Sequence, residues 1–316
     1  DHTTPRIRAT APHTAYLKIA EGCSHHCSFC TIPAIKGPYR SRKPESVIAE
    51  GQMLAQNGVK EINLIAQDTT AYGYDLPGKT DLSYLLRHLS RDTDLEWIRI
   101  LYGHPKHLSR EILTAMGEEE KICNYIDLPL QHISDAVLDT MGRKTKATMI
   151  KKLVAQMRRI MQDLWLRTTF IVGFPGERDE DFKLLLEFVK EVEFEHLGAF
   201  KYSDEEGTKA YAMKDKVRPH IIEERFHQLM SAQSLISLRT NQALIGTTQK
   251  VLIEGVDSSS GMLTGRTSFQ APDIDGIVLI TKGSAPPGAM VEVTVSHAEA
   301  YDLFGEIKKQ PTGTPP

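Results

Sequence analysis

Glu21-Gly22-Cys23-Ser24-His25-His26-Cys27-Ser28-Phe29-Cys30 holds three of the chain's four cysteines within eight residues, spaced C-x₃-C-x₂-C. The run before it, Tyr16-Leu17-Lys18-Ile19-Ala20, alternates apolar and polar positions and reads as a strand. The thiols therefore sit on the loop leaving that strand's C-terminal end. Three thiolates on one short loop can converge on one face of a cubane, because iron–sulfur clusters are held by deprotonated cysteine sulfur. One iron is then left without a protein sulfur, and an open metal position binds and polarises a substrate.

Two other readings compete. A disulfide framework needs an even set of partners, and three clustered thiols with a distant Cys123 fit that poorly. A structural zinc site would use His25 or His26 as fourth ligand, yet both lie inside the same loop, whereas zinc sites usually draw ligand pairs from two segments.

The 316 residues are enough for one large and one small domain. A charged fraction of 25% with 41% hydrophobic residues belongs to an ordinary globular chain. No apolar run approaches the roughly 20 residues that span a bilayer, so no membrane partner is expected. The formal net charge of −3 does not favour nucleic acid. Clustered thiols without disulfide partners point to a reducing cytoplasm. The chain starts at Asp1 without a methionine, and residues 1–14 are read as a linker or N-terminal tail.

Outward from the cysteines, strands and helices alternate. Pro44 suits a helix's first turn, and Val47, Ile48, Leu54 and Ala55 follow at helical spacing before Gly58. Strands are predicted at 61–66, 97–102, 125–128, 168–172 and 197–202, with helices at 82–89, 108–116, 136–141, 148–161 and 179–192 between them. Six strand–helix units predict a parallel sheet with right-handed crossovers. Six are fewer than the eight that close a full barrel, so an open barrel is expected, with sites at the C-terminal strand ends. A long helix is predicted at 219–242. Beyond Gly246, short alternating segments at 250–255, 262–267, 276–280, 291–295 and 303–307 predict a small all-β barrel. The expected division is 15–242, 243–310 and a disordered tail at 311–316.

Cys23, Cys27, Phe29 and Cys30 together resemble the signature of the radical S-adenosylmethionine (SAM) superfamily, C-x₃-C-x-aromatic-C. That resemblance implies a [4Fe–4S] cluster on the three cysteines, with SAM chelated at the unique iron and split to give a 5′-deoxyadenosyl radical. It implies a partial (β/α)6 barrel and suggests SAM contacts from Phe29, from Gln67 and Asp68 after the second strand, from Gln131 after the fourth, and from the backbone of Gly173 and Gly176 after the fifth. Asp68 can equally cap the segment it starts, His132 is more often structural in such a loop, and Gly173-Phe174-Pro175-Gly176 can equally be an ordinary turn. Cys123 is read as a buried thiol.

Ala20-Glu21-Gly22-Cys23, Arg40-Ser41-Arg42, Ala66 to Gly73, Leu128-Pro129-Leu130-Gln131-His132, Phe170 to Glu177 and Tyr202 to Thr208 resemble the methylthiotransferase family. Ala-Gln-Asp-Thr-Thr and Leu-Gln-His are similar to the branch that modifies a ribosomal protein; the tRNA-modifying branch usually carries Gly-Gln-Asn and Gln-Ser-Gly there. The resemblance implies methylthiolation at the β-carbon of an aspartate in a small-subunit ribosomal protein, a TRAM-like (OB-like) C-terminal barrel that holds the substrate, and an electron donor. Charge bears on the substrate independently. Residues 243–316 hold five basic and eight acidic side chains, a balance that suits a basic protein rather than tRNA phosphates. The alternatives are a tRNA adenosine methylthiotransferase and, from another class, a non-catalytic zinc-containing RNA-binding module. The family also carries a second [4Fe–4S] cluster on three further cysteines of an N-terminal domain, expected only in the full-length protein. The stretch from Asp1 is therefore expected to bind SAM and form the radical without completing sulfur insertion.

Overall fold

The structure, a computed structural model, describes residues 8–78 and 80–308. The expectations for residues 1–7 and 311–316 lie outside the described residues. In chain order the first unit runs β1 (Thr14–Lys18), β2 (Ala20–Glu21), α1 (Ile32–Lys36), β3 (Arg40–Ser41), α2 (Pro44–Gln56), β4 (Glu61–Ile65), α3 (Leu82–Asp92), β5 (Trp97–Ile100), α4 (Arg110–Glu118), β6 (Ile122–Asp127), α5 (Asp135–Thr140), α6 (Ala147–Ile160), β7 (Trp165–Val172), α7 (Asp179–Val192), β8 (His196–Lys201) and α8 (Pro219–Gln242).

The six long strands form one parallel sheet in the order β1-β4-β5-β6-β7-β8. Its two outer strands do not pair with each other, so it stays open. Central strands are covered on both faces: all four residues of β5 are buried, which is why they read as nearly continuous apolar runs. Helices α2, α3, α4 and α6 pack in succession over the sheet. Their starts follow local chemistry: Pro44 occupies the first turn of α2, Asp81 and Ser109 accept the N–H groups of Tyr84 and Ile112, and Asp179, Glu180 and Asp181 meet the positive end of α7.

The first strand departs from expectation. It starts at Thr14 inside the expected linker and stops at Lys18. Residues 20–21 pair instead with Arg40–Ser41 as a short antiparallel ribbon. The buried face of the sheet also carries polar residues. Glu61 and Arg99 are both fully buried and paired at 2.9 Å, and the Arg99 guanidinium lies 4.8 Å from the Tyr125 ring centroid.

The division into compact units falls at 233/234, within α8. The second unit is a closed barrel of β9 (Thr248–Val256), β10 (Leu263–Thr267), β11 (Val278–Lys282), β12 (Met290–Ala298) and β13 (Leu303–Ile307), ordered β10-β11-β13-β12-β9. Only β11 and β13 pair in parallel. Val251, Ile253, Val278, Ile280, Val293, Val295 and Leu303 fill its core. Arg266, 1% exposed, is held by Glu254 at 2.7 Å and the Gln270 carbonyl at 2.8 Å.

Candidate cluster and cofactor site

The cysteine loop leaves the ribbon β2–β3 at the C-terminal edge of the sheet. Gly22 turns it with φ 84°, and a Cβ there would lie 2.2 Å from the Pro38 carbonyl oxygen, so only glycine fits. Arg40-Ser41-Arg42 builds the base. Arg42 donates to the Lys18 carbonyl at 2.7 Å and pairs with Glu50 at 2.8 Å. Ser41 accepts from the Gly73 N–H at 2.9 Å, and Tyr72 donates to the Arg42 carbonyl at 2.8 Å.

Gln67 and Asp68, which follow β4, turn their side chains to this loop. The Gly22 N–H donates to Gln67 Oε1 at 2.8 Å. Asp68 Oδ2 lies 2.9 Å from His25 Nε2 and 2.7 Å from His107 Nδ1, while Oδ1 accepts from Thr70 Oγ1 and the Ala71 N–H. Burial alone would raise the Asp68 carboxyl. The hydrogen bonds from His107, His25 and Thr70 and the nearby His104 outweigh it and hold the group well below the usual carboxylate range.

On its far side the loop is fixed through Ser28, whose hydroxyl and N–H donate to the Thr140 and Met141 carbonyls at 2.8 and 2.9 Å. The Phe29 ring enters an apolar cluster with Val137, Met141, Phe174 and Ala210, and meets Phe174 edge-on at 6.2 Å between centroids. Cys23, Cys27 and Cys30 remain half-buried and form no disulfide. Burial raises the Cys23 and Cys30 thiols, and the neighbouring sulfurs raise them further. Three thiolates on one short loop repel one another unless a cationic centre joins them. The Arg143 guanidinium reaches Cys27 Sγ at 3.8 Å and is itself anchored on the Pro129 carbonyl at 2.7 Å. This donor set of three sulfurs with a cation beside one of them fits an iron–sulfur cluster. For His25 to complete a zinc site on the thiols, its Nε2 would have to turn away from Asp68 Oδ2, 2.9 Å off.

A cleft of about 260 Å³ opens beside Cys23, with Tyr39, Tyr74, His107, Lys106 and Lys144 in its walls. Gln131 follows β6 in the left-handed region at φ 71°, bridged to β7 through the Thr169 carbonyl and the Ile171 N–H. Tyr102, after β5, is likewise left-handed at φ 61°. Two non-glycine residues in that region at adjacent strand ends mark an over-determined backbone. His132 is fully buried and accepts from the Ser134 N–H at 3.0 Å, a structural role. Burial pushes its imidazole down to about 4.

After β7, Glu177 folds back so that Oε2 accepts from the Gly173 and Phe174 N–H groups at 2.8 and 3.3 Å, while Oε1 pairs with Arg225 at 2.8 Å. Burial pushes its carboxyl up to about 7 against those partners. The two amides are thus engaged within the turn. Gly173, at φ 76°, lies so close to Ile222 that a Cβ would stand 2.3 Å from that side chain. Gly176 is open, with no atom within 4 Å of a would-be Cβ. Cys123 is buried in β6. His104 and His107 lie at the end of the third sheet strand, outside the residues that the sequence pattern singles out. The available signal was a Gly-His-Pro-Lys-His run (103–107) leaving the third sheet strand.

Comparison with known proteins adds to this geometry. Residues 17–189 match the Radical SAM superfamily and residues 245–307 the TRAM domain. The ribosomal protein uS12 methylthiotransferase RimO of Geobacter sulfurreducens is 47% identical over 308 residues, which cover 97% of this chain and 69% of that protein. The RimO of Pelobacter propionicus is 47% identical, covering 98% and 69%. Among solved structures, the coproporphyrinogen III oxidase HemN of Escherichia coli, a radical SAM enzyme, aligns with a TM-score of 0.55 at 16% identity over 82% of this chain and 65% of its own. TsrM of Kitasatospora setae, a radical SAM methyltransferase, aligns with a TM-score of 0.53 at 15% identity, covering 78% and 43%. At those identities the two structures bear on the fold alone.

Proposed function

Because the chain belongs to the radical SAM superfamily and, within it, to the uS12 methylthiotransferase family, we propose that it serves methylthiolation at the β-carbon of an aspartate in the small-subunit ribosomal protein uS12 by binding SAM and forming the radical that opens that C–H bond. The observation that carries this reading is the presentation of Cys23, Cys27 and Cys30 on one anchored loop at the C-terminal edge of the parallel sheet, beside a cleft. When bound, a [4Fe–4S] cluster and SAM supply the one-electron chemistry that opens a C–H bond too weakly acidic for side-chain bases.

This chain's own residues do the rest by binding and placing. Cys23, Cys27 and Cys30 would hold three irons. Arg143 places positive charge against Cys27 sulfur, and Gln67, Asp68 and Ser28 fix the loop that carries the thiols. The left-handed Gln131 stands at the neighbouring strand end, where its half-buried side chain is a candidate SAM contact. Phe29 packs the loop against the end of β7 and so excludes water from one side of the thiols.

For the substrate, the barrel's basic residues are largely neutralised. Arg266 is buried against Glu254, and Lys282 and Lys308 lie 3.5 and 3.4 Å from Glu306 and Glu292. The remaining acidic excess suits a basic ribosomal protein better than a nucleic acid. The reading places the work in the reducing cytoplasm with an external electron donor. Cys123, buried in the sheet, is not a ligand in this reading. The test is anaerobic reconstitution with iron and sulfide, reduction, and SAM with uS12 or with tRNA. Release of 5′-deoxyadenosine stimulated by uS12 and not by tRNA is expected. No SAM cleavage by an iron-loaded chain, or stimulation by tRNA alone, would overturn the proposal.

A further inference from the structure

We propose that His25, Asp68, His104 and His107 form a second metal site, for a divalent transition cation of zinc's class, that clamps the cysteine loop to the ends of β4 and β5. The four donors come from three separate segments: His25 from the loop, Asp68 from the end of β4, and His104 and His107 from the turn after β5. One ligand atom from each lies within 4.8 Å of all the others. Asp68 Oδ2 stands 2.9 Å from His25 Nε2 and 2.7 Å from His107 Nδ1, and the His25 and His104 rings stack at 4.0 Å between centroids. Donors around a tetrahedral ion at about 2.0–2.1 Å stand roughly 3.3 Å apart. The two Asp68 Oδ2 contacts are shorter than that and the other donor pairs lie within 4.8 Å, so the ion pushes Oδ2 away from the imidazoles and turns the stacked His25 and His104 rings out of their 10° alignment until both ring planes contain it. Three imidazoles and one carboxylate are borderline-to-hard donors that suit zinc, and four protein ligands make a closed, structural site rather than a catalytic one.

A second observation points the same way. His104 is 5% exposed, and its Nε2 finds no hydrogen-bond partner among the described residues. Buried polar atoms are nearly always paired, so this one calls for an explanation, and ligation supplies it. Binding through Nε2 places the ring proton on Nδ1 and displaces one contact, the 3.2 Å approach of the Lys106 N–H. The frame around the ligands is already built. Thr70 Oγ1 donates to Asp68 Oδ1 at 2.7 Å and accepts the His104 N–H at 2.9 Å, which fixes the carboxylate with Oδ2 toward the imidazoles. Thiolates also bind zinc, so the three cysteines are first occupied by iron and sulfide.

The test uses the whole chain with its cluster reconstituted, given Zn²⁺, desalted, and measured for zinc, iron and zinc K-edge absorption. One zinc per chain in nitrogen and oxygen coordination is expected. His104→Ala and the partly exposed His107→Gln should lose that zinc in the same desalting step while their iron content stays at the wild-type level. Asp68→Asn, which keeps the side-chain volume, guards against a folding artefact and should also lose zinc. Three results would overturn the proposal: no retained zinc, zinc bound through sulfur, or zinc retained equally by His104→Ala and His107→Gln.

Discussion

Replacing Gly173 by alanine separates two reasons for a glycine after β7. The residue has φ 76°, which an alanine adopts at a cost of about 1–2 kcal/mol. Its new Cβ would lie 2.3, 2.7 and 2.9 Å from Cγ1, Cδ1 and Cγ2 of Ile222. Because Ile222 is β-branched, no single rotation clears both γ carbons, so overpacking adds roughly 1–3 kcal/mol. Gly173→Ala should therefore destabilise by about 2–5 kcal/mol. Ile222→Ala, at a half-buried position, should cost about 1–2 kcal/mol. In the double variant the overlap disappears and only the dihedral and truncation terms remain. The cycle should then show a favourable coupling of about 1–3 kcal/mol. Urea unfolding followed by tryptophan fluorescence suits the measurement, because Trp97 and Trp165 both lie in the parallel sheet and report on that unit alone. Additive effects within about 0.5 kcal/mol would refute the packing account. SAM affinity of the double variant equal to that of Ile222→Ala would remove Gly173 from the set of cofactor contacts.

Three further outcomes are expected. His132 titrates near 6.5 when unfolded and near 4 in the buried site, so its contribution is present above pH 6.5 and lost as the pH falls toward 4. The stability of the wild type relative to His132→Gln should drop by about 3 kcal/mol over that window. The raised Glu177 carboxyl gives an opposite slope, fully present below 4.5 and lost as the pH rises through 7. A pH-independent difference between the two proteins would reject the assignment for His132. Arg143→Gln should retain iron but shift the cluster's reduction potential to more negative values by tens of millivolts in a redox titration, since a guanidinium leaves Cys27 sulfur; an unchanged potential would count against that contact. Serine at Cys23, Cys27 or Cys30 should sharply reduce iron per chain after reconstitution, whereas Cys123→Ser, inside the sheet core, should leave it unchanged. Equal loss in all four variants would contradict the ligand set.

Much of the fold was legible because parallel strands covered on both faces become apolar runs, and because each run is punctuated by a capped helix. The predicted α7 at 179–192 and α8 at 219–242 coincide with the observed helices. What escaped was carried by partners distant in the chain. Thr14 pairs with Glu61 across 47 residues, so the first strand starts where composition suggests a linker. Gln67 and Asp68 stood at the right strand end for a ligand, yet their side chains meet Gly22 and His25, 45 and 43 residues away. The reason for Gly173, in the turn after β7, lies in Ile222 on α8. Local spacing singles out the thiols as candidates, because the three cysteines fall within eight residues; the residues that hold their loop are scattered over later segments.

That scatter bears on how the loop functions. Small metal sites whose ligands sit on otherwise unsupported chain fold when the metal arrives, and part of the binding energy then goes into ordering the chain. Here the loop is tied at Gly22 by Gln67, at Cys23 by the Gly37 carbonyl, at His25 by Asp68, at Ser28 by Thr140 and Met141, and at Phe29 by an aromatic cluster. The sequence motif and its supports therefore divide the work: the thiols provide chemistry, and the sheet's C-terminal edge provides their placement. A loop tied at this many points orders its backbone through the protein's own contacts, so less of a metal's binding energy goes into ordering the chain.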